Sequence, residues 1–216
     1  MYEYDGLNRR SFLKQASSAI VILPTFAFGI SALAGCNREQ SLAASESSNS
    51  PLSWKTEIVT NKEPGEPLII TGTICGVDGK TPLEGATLSI YHTDASGNYS
   101  PNSAVGGDNR RTRLRGKMLT GRDGRYEFRT IRPASYPNST NPAHIHAYVA
   151  APGFQEYWID NYLFEGDPFI TDDMRRRLNG DGKFFSILKV DRGSDGLWRG
   201  SRDIQIEKCS SNCVRS

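Results

Sequence analysis

The chain has 216 residues, enough for one domain with a sizeable core after any terminal targeting segment is set aside. Its 26 Lys+Arg and 24 Asp+Glu leave a formal net charge of +2, so long-range electrostatics give no reason to invoke nucleic acid as a partner. None of the 4 cysteines forms a pair near the histidines, which argues against a zinc finger.

The first residues run into Asn8-Arg9-Arg10-Ser11-Phe12-Leu13-Lys14, which resembles a twin-arginine export signal. An apolar run from Ala16 to Ala34 follows and meets Leu33-Ala34-Gly35-Cys36, which resembles a bacterial lipoprotein cleavage box. The run is about long enough for a plain transmembrane anchor. The basic start and the small residues at the box fit a processed signal better. Residues 1–35 are therefore set apart from the fold, and Cys36 is expected to become a lipidated N-terminus. Several acyl chains on one residue anchor stably to a membrane. The expected location is the bacterial cell envelope, by a route that resembles one used by proteins that fold before export. Residues 36–53 are polar and Ser-rich and read as a flexible tether, leaving 54–216 as the folded domain.

Within that domain, short apolar or alternating runs predict strands at 68–77, 86–92, 125–131, 143–150, 183–190 and 198–206. Turn signals at Asp78-Gly79, Ser96-Gly97, Asp123-Gly124 and Asp195-Gly196 separate them. Arg110, Arg111, Arg113 and Arg115 read as a solvated loop, or alternatively as a patch that attracts an anionic substrate. One short helix is expected from Thr171 to Leu178: Thr171 caps it, Asp172 and Asp173 suit its positive end, and Asn179-Gly180 stops it. Strands this short and frequent predict an all-β fold, an antiparallel β-sandwich with long loops. Cys75 falls in a strand, where a small buried thiol is the usual reading, while Cys209 and Cys213 are spaced for a local bridge.

Two of the 3 histidines stand at His144 and His146. On a strand, positions i and i+2 share a face, so His144, His146 and Tyr148 point one way and Ile145, Ala147 and Val149 the other. Two imidazoles about 7 Å apart along a strand can converge on one metal ion, although a half-buried structural pair has the same pattern. Tyr136, in a loop rich in Pro, Ser and Asn, and Tyr99, just past a turn, add two phenols. Phenolate and imidazole together suit Fe(III).

Several segments, in order, resemble the intradiol ring-cleavage dioxygenases, such as the protocatechuate and catechol dioxygenases. They are Gly76-Val-Asp-Gly-Lys-Thr-Pro-Leu-Glu-Gly-Ala, Ile90-Tyr-His-Thr-Asp-Ala-Ser-Gly-Asn-Tyr, Tyr126-Glu-Phe-Arg-Thr-Ile-Arg-Pro, Pro142-Ala-His-Ile-His and Phe164-Glu-Gly-Asp-Pro. The resemblance covers about residues 68 to 170 and implies Tyr99, Tyr136, His144 and His146 as ligands of an Fe(III) cofactor on a β-sandwich. It implies an aromatic diol and O2 as substrates, a muconate-type diacid as product, Tyr136 as the ligand that takes a substrate proton and leaves, and self-association.

One departure concerns catalysis. Well-characterised members place an arginine immediately before Pro-Ala-His-Ile-His, where this chain has Asn141. Asparagine donates a hydrogen bond but brings no charge. Arg129, Arg132 and the run from Arg110 to Arg115 are candidates to replace that charge. Two other readings remain: a lipoprotein that binds a phenolic or iron-catechol ligand without cleaving it, and a zinc or copper site of His92, His144 and His146. The resemblance has no ligand at His92, and implies that it lines the site or packs nearby.

Overall fold

A computed structural model describes residues 51–60, 62–99, 112–178 and 182–207. The expectations for the signal, Cys36, most of the tether, Arg110, Arg111, the helix stop at Asn179-Gly180, Cys209 and Cys213 fall outside them. In chain order the strands are β1 (Lys55–Glu57), β2 (Pro67–Cys75), β3 (Thr87–His92), β4 (Arg115–Leu119), β5 (Arg125–Ile131), β6 (His144–Ala151), β7 (Phe154–Phe164), β8 (Ile187–Leu188), β9 (Asp191–Arg192), β10 (Trp198–Ser201) and β11 (Ile204–Gln205). The helix α1 spans Asp172–Arg177. Thr171 caps it, its Oγ1 accepting from the Met174 N–H at 3.2 Å, with Asp172 and Asp173 in the first turn.

Two sheets face each other. One runs β1-β5-β2-β10-β9, with β11 also paired to β2, and the other runs β4-β3-β6-β7-β8. Their central pairings, β2 with β5, β3 with β6 and β6 with β7, are antiparallel. Short strands β1, β8, β10 and β11 add in parallel. Alternation explains the core. Leu68, Ile70 and Ile74 of β2 and Tyr126 and Phe128 of β5 meet Leu88 and Ile90 of β3 and Ile145, Ala147 and Val149 of β6. The inward face of β6 is therefore the apolar one expected, and His144, His146 and Tyr148 lie on the outer face of the five-stranded sheet.

The structure corrects several boundaries. Residues 183–190 hold a 3-10 turn at Gly182–Phe184 and only the two-residue β8, and 198–206 divides into β10 and β11. Arg115, expected in a loop, opens β4, an edge strand on β3. Of the four turn signals, only Asp195-Gly196 makes a short hairpin between paired strands, β9 and β10, while Ser96-Gly97 lies on the long connection between the paired β3 and β4. Asp123-Gly124 carries the chain from one sheet to the other, as a sandwich requires. Cys75 is buried and free. Among the described residues, no helix is long and apolar enough to cross a membrane.

Candidate metal centre

The centre forms where β6 starts and where the chains leaving β3 and β5 fold over its outer face. β3 ends at His92, which is fully buried. His92 Nδ1 lies 2.7 Å from the Thr93 carbonyl, to which it donates, so its Nε2 accepts from Thr130 Oγ1 at 2.6 Å. This imidazole ties the end of β3 to the end of β5, the two strands that lead to Tyr99 and Tyr136. Burial is the main reason its pKa falls to about 4, so it is neutral. Both ring nitrogens are engaged away from the other histidines, which removes His92 from a three-histidine zinc or copper set.

Beyond His92 the two loops interlock. Asp94 Oδ1 accepts from the Ser96 and Asn98 N–H groups at 2.8 and 3.0 Å, fixing the turn that presents Tyr99. Thr93 Oγ1 donates to the Ala134 carbonyl at 2.8 Å, and Ala134 N–H donates to the Asp94 carbonyl at 3.2 Å. Gly97 has φ +79°, and a Cβ there would sit 2.0 Å from the Ser135 carbonyl oxygen. Only glycine allows both that backbone and that approach. The start of β6 is pinned by Asp167, whose Oδ2 accepts from the Ala143 N–H at 2.8 Å. That contact gives the Phe164-Glu-Gly-Asp-Pro segment its structural role.

These supports bring four donor atoms together. Tyr99 Oη lies 2.6 Å from Tyr136 Oη and 3.0 Å from His146 Nε2. Tyr136 Oη lies 3.2 Å from both His144 Nε2 and His146 Nε2, which are 3.1 Å apart. His144 Nδ1 donates to the Pro142 carbonyl at 2.7 Å, and His146 Nδ1 donates to Asn161 Oδ1 at 3.2 Å. Each Nε2 is thereby left as a bare lone pair, aimed at the other. Two acceptors facing each other with two phenols beside them are best satisfied by a shared cation. Metal bonds of about 2.0–2.2 Å imply donor separations of roughly 2.8–3.6 Å, close to those present. The set therefore fits one metal ion.

Electrostatics agree. Burial, and then the neighbouring His144, push the His146 pKa down to about 3, and burial lowers His144 too. Both are neutral at ordinary pH, so each Nε2 is free to donate a lone pair to a cation. Burial, reinforced by the bond to Tyr136, holds the Tyr99 phenol well above its ordinary range, and burial raises Tyr136 as well. Phenolates at such a site need a bound cation to offset the desolvation.

Strand periodicity did not reveal Asn161, Tyr91 or Trp158. Ile145 pairs with Tyr162 and Ala147 with Ile159, so Asp160 and Asn161 both stand opposite the single residue His146. This bulge turns Asn161 onto the imidazole. The buried Arg202 donates to the Asp160 carbonyl at 2.7 Å, satisfying an oxygen at the bulge. Tyr91, opposite His146 on β3, stacks on that ring with centroids 4.5 Å apart. The segment Tyr157–Tyr162 belongs to β7.

Asn141 is exposed, with its N–H donating to Ser139 Oγ at 3.1 Å, and it stands outside the set of contacts joining the four donors. Three arginines proposed to replace a charge there are engaged elsewhere. Arg113 grips Glu63, Arg129 meets Glu127 at 3.3 Å, and Arg132 meets Glu66 at 3.2 Å while lying over the Trp198 ring.

Two loops and a strand that gather phenols and imidazoles on the outer face of a sandwich define a class, and comparison with known proteins agrees. The profile of a family described as Dioxygenase matches residues 45–183. Catechol 1,2-dioxygenase 1 of Acinetobacter lwoffii is 34% identical over 135 residues, 55% of this chain and 42% of that enzyme. Chlorocatechol 1,2-dioxygenase of Rhodococcus opacus is 34% identical over 128 residues, 51% of this chain and 48% of that enzyme. The chain thus spans about half the length of these relatives. Among solved structures, the dioxygenase domain of a dioxygenase carbohydrate-binding protein fusion from Streptomyces sp. SirexAA-E has a TM-score of 0.54 at 28% identity, covering 74% of this chain and 92% of that one. Catechol 1,2-dioxygenase from Acinetobacter sp. ADP1, at 23% identity and a TM-score of 0.59 over 74% of this chain and 59% of that one, shares the fold. The chain belongs to the intradiol ring-cleavage dioxygenase family.

Proposed function

We propose that this protein is a non-haem Fe(III) dioxygenase that opens the ring of a catechol-type diol between its two hydroxyl-bearing carbons. The observation that carries the reading is the convergence of Tyr99, Tyr136, His144 and His146, with both imidazoles held in the tautomer that offers Nε2. Two phenolates and two neutral imidazoles suit Fe(III) better than zinc or copper. Tyr99, Tyr136, His144 and His146 would hold ferric iron, which would supply Lewis-acid chemistry favouring the anionic forms of the phenols and the diol and activating the diol toward O2.

The chain's own residues divide the remaining work. His144 and His146 hold their positions through the Pro142 carbonyl and Asn161. Tyr136 Oη lies within 3.2 Å of both imidazoles and is carried on the loop before β6, so it is placed to accept a proton from an incoming diol hydroxyl and swing aside. Tyr99 is fixed by the Asp94 turn and stays. Both atoms of O2 enter the two carboxyl groups of a muconate-type product, so the balance needs no reductant. Cys36 is proposed as the lipid anchor that keeps the domain, residues 54–216, in the bacterial envelope after twin-arginine export, and self-association is compatible with the family.

A second reading, capture of the diol without cleavage, is favoured by Asn141 standing where the family carries arginine. Metal content and a visible spectrum, followed by oxygen uptake with catechols, separate the two. The dioxygenase reading expects stoichiometric iron, a red-brown protein, and O2 consumption. His144→Ala or His146→Ala should lose iron and colour together, and Tyr136→Phe should shift the colour and slow turnover more than it lowers iron content. A colourless protein with stoichiometric zinc would refute the iron assignment. An iron-loaded, coloured protein that consumes no O2 with any ortho-diol would instead be a binding protein.

A further inference from the structure

Arg202 lies between β10 and β11 and is 5% exposed, a buried cation in the middle of the sandwich. Its backbone is fixed to the six-stranded sheet. The Arg202 N–H donates to the Thr71 carbonyl at 3.0 Å, and the Tyr126 hydroxyl donates to the Arg202 carbonyl. A Cβ on Gly72 would sit 1.8 Å from that carbonyl oxygen, so only glycine admits the approach. The side chain then crosses to β7 in the other sheet. Its guanidinium lies 4.8 Å from the centroid of the Tyr162 ring, and Nη1 donates to the Asp160 carbonyl at 2.7 Å. Asp160 and Tyr162 are the two neighbours of Asn161, which accepts from His146 Nδ1.

Packing alone does not explain a charge there. Asp203, next along the chain, gives Oδ1 to the Thr73 N–H at 2.8 Å and Oδ2 to Lys183 at 2.9 Å. Among the described residues the buried Arg202 Nε has no hydrogen-bond partner. A buried cation held by a carbonyl and a ring is costly, and an apolar side chain of similar length fills the same space without that cost. A bulge, however, leaves a residue outside the strand ladder, so its orientation depends on partners supplied from elsewhere.

We propose that Arg202 is a positioning residue for the metal centre: by holding the Asp160 carbonyl and the Tyr162 ring, it sets the bulge that aims Asn161 at His146 Nδ1. This rests on the reading of the four donors as a metal centre. The bond from Nδ1 fixes the tautomer, and the tautomer decides whether Nε2 offers a lone pair. The path ends on one imidazole only, because His144 takes its tautomer from the Pro142 carbonyl.

The test uses Arg202→Met and Arg202→Lys in the full chain, read first without metal. Nitrogen-15 NMR of the histidine rings should show His146 protonated on Nδ1 in the wild type and as mixed tautomers in Arg202→Met, with His144 the same in both. Arg202→Lys keeps a charged donor and should keep the wild-type tautomer. The iron Kd, from chelator competition, should rise about three- to fivefold in Arg202→Met, less than in Asn161→Ala because Arg202 acts through Asn161. In an Asn161→Ala background the same substitution should change Kd by less than about 1.5-fold. A purely structural Arg202 would lower unfolding stability and leave the His146 tautomer alone, and that result overturns the proposal. Equal effects on Kd in the two backgrounds also overturn it. If Arg202→Met does not fold, Arg202→Gln, too short to reach the Asp160 carbonyl, is read in its place. If the wild type binds no metal, the metal reading fails and the tautomer alone decides whether Arg202 positions the imidazole.

Discussion

Asn161 offers a sharp test of how the metal centre is held. Its Oδ1 accepts the His146 Nδ1–H at 3.2 Å, at the long end of the N–H···O range, and the imidazole is also held by the stacked Tyr91 ring. Asn161→Ala removes the acceptor but leaves the stack. Losing such a partner of a metal-binding histidine typically costs about 10–100-fold in metal affinity. The long bond and the surviving ring contact place this case near tenfold, or about 1.4 kcal/mol. Asn161→Asp should act oppositely, because a carboxylate accepting the same proton makes Nε2 a stronger donor. His144 supplies the internal contrast, since its Nδ1 partner is the Pro142 backbone carbonyl, which no side-chain substitution removes. The assay is competition of each variant for iron against a calibrated chelator, with the visible band recorded on the loaded protein. A metal Kd within twofold of wild type in Asn161→Ala, with an unshifted band, would show that the bulge at Asp160 and Asn161 does not serve the metal.

The remaining predictions address charge, acid stability and anchoring. Asn141→Arg should speed cleavage of simple catechols. A missing charged donor typically costs about 2.7–4 kcal/mol in the transition state, a hundred- to thousandfold in rate, and oxygen uptake that is no faster in a variant retaining its iron would refute this. His92 titrates near 4 when folded against 6.5 ordinarily, so the unfolded chain takes up the proton first as pH falls. Its contribution is fully present above about pH 6.5 and is lost toward pH 4, amounting to about 3 kcal/mol over that window. Urea unfolding at pH 7 and 4.5 should show a shallower pH dependence in His92→Gln than in wild type, and identical slopes would refute the assignment. Cys36→Ser should abolish lipid modification while the domain keeps its metal. Mass spectrometry finding an unmodified Cys36 in membrane fractions would refute the anchor.

The alternation of His144-Ile-His-Ala-Tyr-Val was enough, by itself, to send two imidazoles to one face and three apolar side chains to the core. Strand side chains repeat every two residues whatever lies beyond the strand. The Thr171 cap and the Asp195-Gly196 hairpin were legible for the same reason, because their hydrogen bonds close within a few residues. Resemblance to a family added Tyr99 and Tyr136, whose approach to the histidines no local period encodes. Tertiary structure decided the rest. Arg115 read as part of a solvated loop because β4 is an edge strand whose polar side chains face outward and whose partner, β3, lies more than twenty residues earlier. β7 was hidden because the bulge opposite His146 breaks its alternation, and that same bulge turns Asn161 onto the His146 imidazole. His92 reads as packing near the site, with a three-histidine set as the alternative, and packing decides between them by giving both its nitrogens to Thr93 and Thr130. Local sequence carries periods and caps, which are short-range. It does not carry the pairing of distant strands, and here that pairing determines which imidazoles join the cluster of phenols and which one ties two strands together.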